Sequence, residues 1–314
     1  MKVFIAGSSG LVGSALVRKF NKISKYEVLT SKSSELDLRN TNAVFDFFAE
    51  HKPTVVIDAA AKVGGIHANA TYPVEFLIEN TEIQINLFSA AHKFHCEKLV
   101  FSLCSSSCVY PKDCPQPIKE SFLLTGPLEI TNQAYAIAKI AGMKLVESYR
   151  NQYQKKWISA MPTNLFGPND NFSKTNGHVL PAMIRKFHDA KIKNEAVLLW
   201  GDGTAKREFL HVDDLADAID FLIDHYDSDE AINIGAGKDI TILELANLVS
   251  ETVGYEGSIK WDTSKPNGTP QKLLDTSKIN SLGWRPKISL VEGVSKTYDW
   301  FLAETNKNNS SIRL

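Results

Sequence analysis

Met1-Lys2-Val3-Phe4-Ile5-Ala6-Gly7-Ser8-Ser9-Gly10-Leu11-Val12-Gly13 opens the chain with an apolar run that breaks directly into glycines. The run predicts a buried strand at Lys2–Ala6, and Leu11–Phe20 predicts the helix after it. In such a strand–turn–helix the first glycine permits the tight turn, the second lets the backbone approach a pyrophosphate, and the third allows close helix–strand packing. The helix start then offers unpaired N–H groups to phosphate. Gly7, Ser8, Ser9, Gly10, Leu11, Val12 and Gly13 are therefore expected to hold a dinucleotide. A purely structural glycine turn is the alternative, and the strand before and helix after argue against it.

The same alternation continues through the first half. Strands are expected at Tyr26–Thr30, Thr54–Ala60, Lys98–Leu103 and Trp157–Met161, and helices at Thr41–His51, Glu79–Phe94 and Ala134–Gln154. Strands apolar along their length imply burial on both faces of a parallel sheet. The fold class expected is α/β, a doubly wound parallel Rossmann sheet with a smaller C-terminal α/β substrate lobe. Residues 1–165 are assigned to cofactor binding, with 208–235 returning to that domain, and 166–314 mainly to substrate. In the second half Gly167-Pro168-Asn169-Asp170-Asn171 reads as a turn. Helices are expected near Leu180–Ala190, Val212–His225, Ile242–Thr252 and Ser295–Phe301, a loop at Ser264–Thr269, and a frayed polar tail at Asn306–Ser311. His211-Val212-Asp213-Asp214 reads as a helix start and cap.

Composition narrows the function classes. With 43% apolar residues, 314 residues can bury a full core, and 35 Lys+Arg against 36 Asp+Glu leave the chain nearly neutral. That balance gives no reason to expect nucleic acid or a membrane surface as partner. No stretch approaches a membrane span, and the N-terminal run lacks signal-peptide order. Cys96, Cys104, Cys108 and Cys114 show no paired metal spacing, so no metal and no disulfide framework are expected, and a cytoplasmic location fits.

Tyr135 and Lys139 are four apart in a helix-favouring segment, which puts phenol and ammonium on one helix face. The ammonium favours phenolate and makes the tyrosine a usable acid or base. Gly-x-x-Gly-x-x-Gly followed by Tyr-x-x-x-Lys resembles the short-chain dehydrogenase/reductase superfamily. That resemblance implies that Lys139 also bonds the nicotinamide ribose and that Asp37 and Leu38 flank the adenine. Leu29-Thr30-Ser31-Lys32-Ser33-Ser34 has no carboxylate to repel a 2′-phosphate, so Lys32 and its hydroxyl neighbours favour NADP(H) over NAD. In the extended branch a catalytic serine lies four before a tyrosine, which lands on Ser106 ahead of Tyr110, and Ser107-Cys108 stand where dehydratases carry Asp-Glu.

Longer strings sharpen the likeness: residues 59–66 (AAAKVGGI), 107–111 (SCVYP), 161–168 (MPTNLFGP), 176–181 (NGHVLP) and 200–209 (WGDGTAKREF). Over nearly the whole chain they closely resemble the GDP-L-fucose synthase family, which acts on GDP-4-keto-6-deoxy-D-mannose. The resemblance implies that Cys108 removes protons at C3 and C5 and that His178 returns them. It implies that Tyr135 and Ser106 steady O4, and that Tyr135 protonates O4 as NADPH reduces C4. It further implies cofactor contacts from Ala60, Ser105, Pro162, Thr163, Asn164, Leu165 and His178. Substrate contacts are implied for Ser107, Asn164, Lys186, Trp200, Arg207 and Asn267, and a homodimer for helices Glu79–Phe94 and Ala134–Gln154.

The sequence departs from the family pattern in three places. Lys98–Ser106 is about two residues longer, which leaves Ser105 and Ser107 as further candidates for the serine role. Asn267 replaces an aspartate, and Ser9 stands where some members have arginine. The rival readings are another nucleotide-sugar epimerase or dehydratase of the extended branch, or a non-catalytic NADP-binding protein.

Overall fold

The computed structural model describes residues 1–103, 107–174, 177–265 and 267–307. Six strands form the central sheet: β1 (Lys2–Ala6), β2 (Glu27–Thr30), β3 (Val55–Asp58), β4 (Lys98–Ser102), β5 (Ile158–Pro162) and, later in the chain, β9 (Ile232–Ile234). All pair in parallel, in the order β2-β1-β3-β4-β5-β9. The order reverses between β1 and β3, and a crevice opens at the strand C-termini at such a switch point. Helices α1 (Leu11–Phe20), α2 (Thr41–His51), α3 (Ile66–Thr71), α4 (Pro73–Lys93) and α5 (Gln133–Tyr153) belong to this half. One buried cluster joins α1 and the later α7 (Val212–His225) to one face of the sheet, and a second joins α2, α4 and α5 to the other.

The second half holds β6 (Asn164–Phe166), α6 (Val179–Lys193), β7 (Val197–Trp200), β8 (Lys206–His211), β10 (Asp239–Thr241), α8 (Ile242–Val253), β11 (Ile259–Asp262), β12 (Gln271–Lys272), α9 (Ser277–Ser281) and α10 (Leu290–Asn306). β8 pairs with β10 antiparallel and with β6 and β12 in parallel, while β7 pairs with β11. A third cluster, built on Phe166, Phe187, Leu245 and Phe301, fills this part.

The expected doubly wound fold is present, with differences at element ends. α4 begins at Pro73, six residues before the expected Glu79, because Pro73 occupies the first turn, where its missing N–H is harmless. α10 starts at Leu290 rather than Ser295, since the Ser289 side chain accepts from the Glu292 N–H as an N-cap. Tyr26 falls outside β2, its ring packed 4.7 Å from that of Phe20. The strands of the second half, two to six residues long, are too short to show a period. His211 caps α7 as expected, its Nδ1 accepting from the Asp213 N–H at 3.2 Å. Most of the expected polar tail lies outside the described residues.

Candidate active site

The glycine turn is shaped by close approach. Gly7 has φ +75°, and a Cβ there would lie 2.6 Å from the Ala59 carbonyl oxygen; one on Gly13 would lie 2.0 Å from that of Gly7. Gly10 is different, since its Cβ would meet only the Gly7 oxygen, at 3.4 Å. The space above Gly10 is thus open, and α1 starts there without a side-chain cap, leaving its first N–H groups for an anion. The Ser8 hydroxyl ties the turn to β2 by donating to the Ser31 carbonyl at 3.1 Å.

A cleft of about 490 Å³ runs over this turn at the switch point. Gly7, Ser9, Gly10, Leu11 and Val12 of the turn line it together with Asp37, Leu38, Ala60, Leu165 and His178. Lys32 stands exposed and outside this lining. The cation near Asp37 that does line the cleft is Arg39, which composition and motif spacing do not single out. Its Nε and Nη2 donate to the two Asp37 oxygens at 2.9 Å each, and Nη1 donates to Glu79 at 3.1 Å. Hydrogen bonds from the Arg39 side chain hold the Asp37 carboxyl below its usual range. Glu79 also accepts from Lys62, joining the walls of the cleft.

The tyrosine and lysine meet as the helical spacing requires. Tyr135 and Lys139 are 6% and 0% exposed, and the Lys139 Nζ lies 5.6 Å from the Tyr135 ring centroid. The Tyr135 hydroxyl donates to the Leu103 carbonyl at 3.4 Å. Lys139 Nζ has no direct hydrogen-bond partner among the described residues, and its side chain is sealed from solvent. With the open space above Gly10, that orphaned donor fits a dinucleotide whose diphosphate sits on the turn and whose ribose hydroxyls reach the lysine. Cys108 joins Tyr135, Phe76 and Ala136 in one small buried cluster. Burial pushes the Cys108 thiol up, opposed by the positive charges of Lys272 and Lys139. Lys272, half-buried on β12, is a second residue that motif reading misses; burial pulls its ammonium down while the thiol opposes that shift. Ser107 is buried beside Cys108, whereas Ser105 and Ser106 lie outside the described residues.

His178 stands at the N-cap position of α6, with Nδ1 4.0 Å from Oδ1 of the buried Asp170. Asp170 follows the turn at Gly167, where a left-handed Asn169 at φ +66° redirects the chain, so a turn residue becomes the histidine's carboxylate neighbour. Pro162, Thr163 and Asn164 pass from β5 into β6, and the Asn164 amide donates to the Glu208 carbonyl at 2.8 Å. The Thr163 N–H donates to the Ile234 carbonyl at 2.9 Å. In the second half Trp200 is 64% exposed, with Lys186 Nζ 6.0 Å and Lys265 Nζ 5.8 Å from its ring centroid. Burial lowers Lys186 and Arg207 below their ordinary values. Asn267 Oδ1 accepts from the Asp202 N–H at 2.8 Å, and Gly268 packs against the Arg207 guanidinium.

A doubly wound sheet with this glycine turn and a buried Tyr135–Lys139 pair defines a nucleotide-cofactor enzyme. The model of the NAD dependent epimerase/dehydratase family matches residues 3–235, and the chain belongs to that family. Its likeness to GDP-L-fucose synthases runs nearly end to end. It is 55% identical over 302 residues to GDP-L-fucose synthase 1 of Arabidopsis thaliana, covering 96% of this chain and 93% of that protein. It is 48% identical over 316 residues to the GDP-L-fucose synthase of Escherichia coli K12, covering 98% of each. The crystal structure of a GDP-L-fucose synthetase from Naegleria fowleri bound to NADP matches with a TM-score of 0.91 at 28% identity, covering 100% of this chain and 96% of that one.

Proposed function

We propose that the chain converts GDP-4-keto-6-deoxy-D-mannose to GDP-L-fucose, epimerising C3 and C5 and reducing C4 with NADP(H) as cofactor. Near full-length likeness to GDP-L-fucose synthases of a plant and a bacterium supports this reaction. The observation that carries the reading within the structure is the packing of the Cys108 thiol against Tyr135 beside Lys139. The C4 ketone acidifies the C3 and C5 hydrogens. Cys108 takes each proton as base and His178, with Asp170 behind it, returns one to the opposite face. Ser106 and Tyr135 hold O4 while it carries negative charge. NADPH, when bound, supplies the hydride for C4. Tyr135 then gives its proton to O4, with Lys139 keeping a positive charge beside the phenol. Gly7–Gly13, Asp37, Leu38, Ala60, Ser105 and Pro162–Leu165 are assigned to the cofactor, with Lys32 or Arg39 meeting its adenosine phosphate. Ser107, Asn164, Lys186, Trp200, Arg207 and Asn267 are assigned to the GDP-sugar.

In this reading residues 1–165 and 208–235 serve the cofactor, and 166–314 mainly the sugar nucleotide. We assign the enzyme to the cytoplasm; among the described residues no helix is long and apolar enough to cross a membrane. We also assign it to a homodimer through α4 and α5. These pack together, and α4 leaves Val74, Ile78 and Ile85 exposed at helical spacing, with Ile137 exposed on α5. The reaction is tested by supplying the keto sugar and NADPH in deuterated water. NADPH oxidation with deuterium at both C3 and C5 is expected; oxidation with neither position exchanged would leave a plain C4 reductase.

A further inference from the structure

Asp58 ends β3 after three residues with no exposed surface, Val55, Val56 and Ile57, and is itself fully buried. It stands in register with Phe101 of β4, and residues in register share a face of the sheet. The Lys139 Nζ lies 5.1 Å from the Phe101 ring centroid. Carboxylate and ammonium therefore occupy one layer, between the sheet and α5. Gln84 of α4 closes this layer. A Cβ on Gly142 of α5 would lie 2.6 Å from the Gln84 Oε1 and 2.7 Å from the Phe101 ring. The Ala60 N–H donates to Asp58 Oδ1 at 3.0 Å. Asp58 Oδ2, Lys139 Nζ and both amide atoms of Gln84 have no direct hydrogen-bond partner among the described residues.

A buried charge is tolerated where an opposite charge lies near it. Asp58 supplies that charge on this face, and the chemistry assigned above leaves it unused. We propose that Asp58 is a positioning residue for ketone reduction: its carboxylate, buried in the same layer as the Lys139 ammonium and not bonded to it directly, offsets that charge beside Tyr135 and reaches the sugar only through that lysine. The proposal rests on the assignment of Tyr135 and Lys139 to reduction. It also explains a carboxylate in an otherwise apolar strand, where stability alone favours leucine or valine.

Burial pushes the Asp58 carboxyl up to about 6, against the charge of Lys139 and the Ala60 N–H. Ala6 of β1 and Phe101 of β4 stand in register with it and neither titrates; the charged side chain that acts on it among the described residues is Lys139 of α5, and Cys108 is the next titratable group that feels that lysine. A folded value above the ordinary carboxyl value of 3.8 means that ionisation at neutral pH opposes folding. The opposition is absent below that value and complete above about pH 6.

Asp58→Asn and Asp58→Leu test the role in single-turnover hydride transfer across pH, with NADPH binding followed by fluorescence and heat stability by calorimetry. Wild-type transfer should fall as pH drops through about 6. Both variants should be about tenfold slower at neutral pH, equivalent to one pKa unit at the phenol, and should lack that acidic limb. NADPH binding should change by less than about threefold. The melting temperature of the wild type relative to Asp58→Leu should fall as pH rises from about 4 to about 6, whatever the offset between the two, which a carboxylate that does not titrate there would not produce. An active wild type with a variant of unchanged rate, or one that keeps the acidic limb, overturns the proposal for Asp58 alone. A wild type that does not reduce the ketone fells the proposed function itself.

Discussion

Tyr135, Lys139 and Cys108 are 6%, 0% and 7% exposed, whereas Trp200 is 64% exposed beneath two lysines. The buried floor holds its groups by packing in a medium where charges interact strongly, and each polar group there has few neighbours. On the proposed assignment the Trp200 patch is the rim of the site, with long side chains over an exposed indole, where water and salt weaken every contact. Floor substitutions should therefore change rate constants by orders of magnitude. Rim substitutions should change KM by small factors.

The largest effect is expected from Tyr135→Phe, which removes the proton donor while keeping the ring packed against Phe76. Reduction should slow by about 10²- to 10⁴-fold, with NADPH binding nearly intact, in stopped-flow measurements. A hydride step of undiminished rate would remove Tyr135 from the chemistry. Cys108→Ser should suppress deuterium entry at C3 and C5 by about 100-fold, read by mass spectrometry of the recovered sugar. Because burial raises the thiol, its reactive thiolate grows with pH, so wild-type exchange should climb through neutrality into the alkaline range. Lys272→Met, which deletes a positive charge acting on that thiol, should move the climb to higher pH. An unmoved profile would separate Lys272 from the thiol.

The contrast between floor and rim also explains what was legible in the sequence. Gly7 and Gly13 are readable because a Cβ on either would strike backbone, Gly10 because it keeps the space above the turn open, and Tyr135 and Lys139 because a helix converts a spacing of four into a contact. The sheet is readable because strands buried on both faces run apolar. Asp58 is hidden by that same rule, one carboxylate at the end of an apolar run. Lys272 and Asp170 are hidden for another reason. They come from a two-residue strand and a turn, and only the fold brings them beside Cys108 and His178. At Lys32 local charge reading reaches an exposed side chain between Ser31 and Ser33, which line the cleft, and it passes over Arg39, seven positions later, which lines the cleft too.

Arg207 and Trp200 mark the shallow end of the comparison. Arg207 is half-buried on β8, and burial already disfavours its charge, so an incoming diphosphate gains a guanidinium that water solvates poorly. Arg207→Ala should raise KM for the GDP-sugar by about 10- to 100-fold, as loss of charged hydrogen bonds does. Trp200→Ala should raise it by only about fivefold, because an exposed indole offers stacking worth about 1 kcal/mol. Steady-state kinetics at saturating NADPH separate the two, since neither change should lower kcat by more than about twofold if these residues bind ground state and transition state alike. A large fall in kcat for Trp200→Ala would mean that the indole closes over the sugar during the reaction, and the rim would then share the stiffness of the floor.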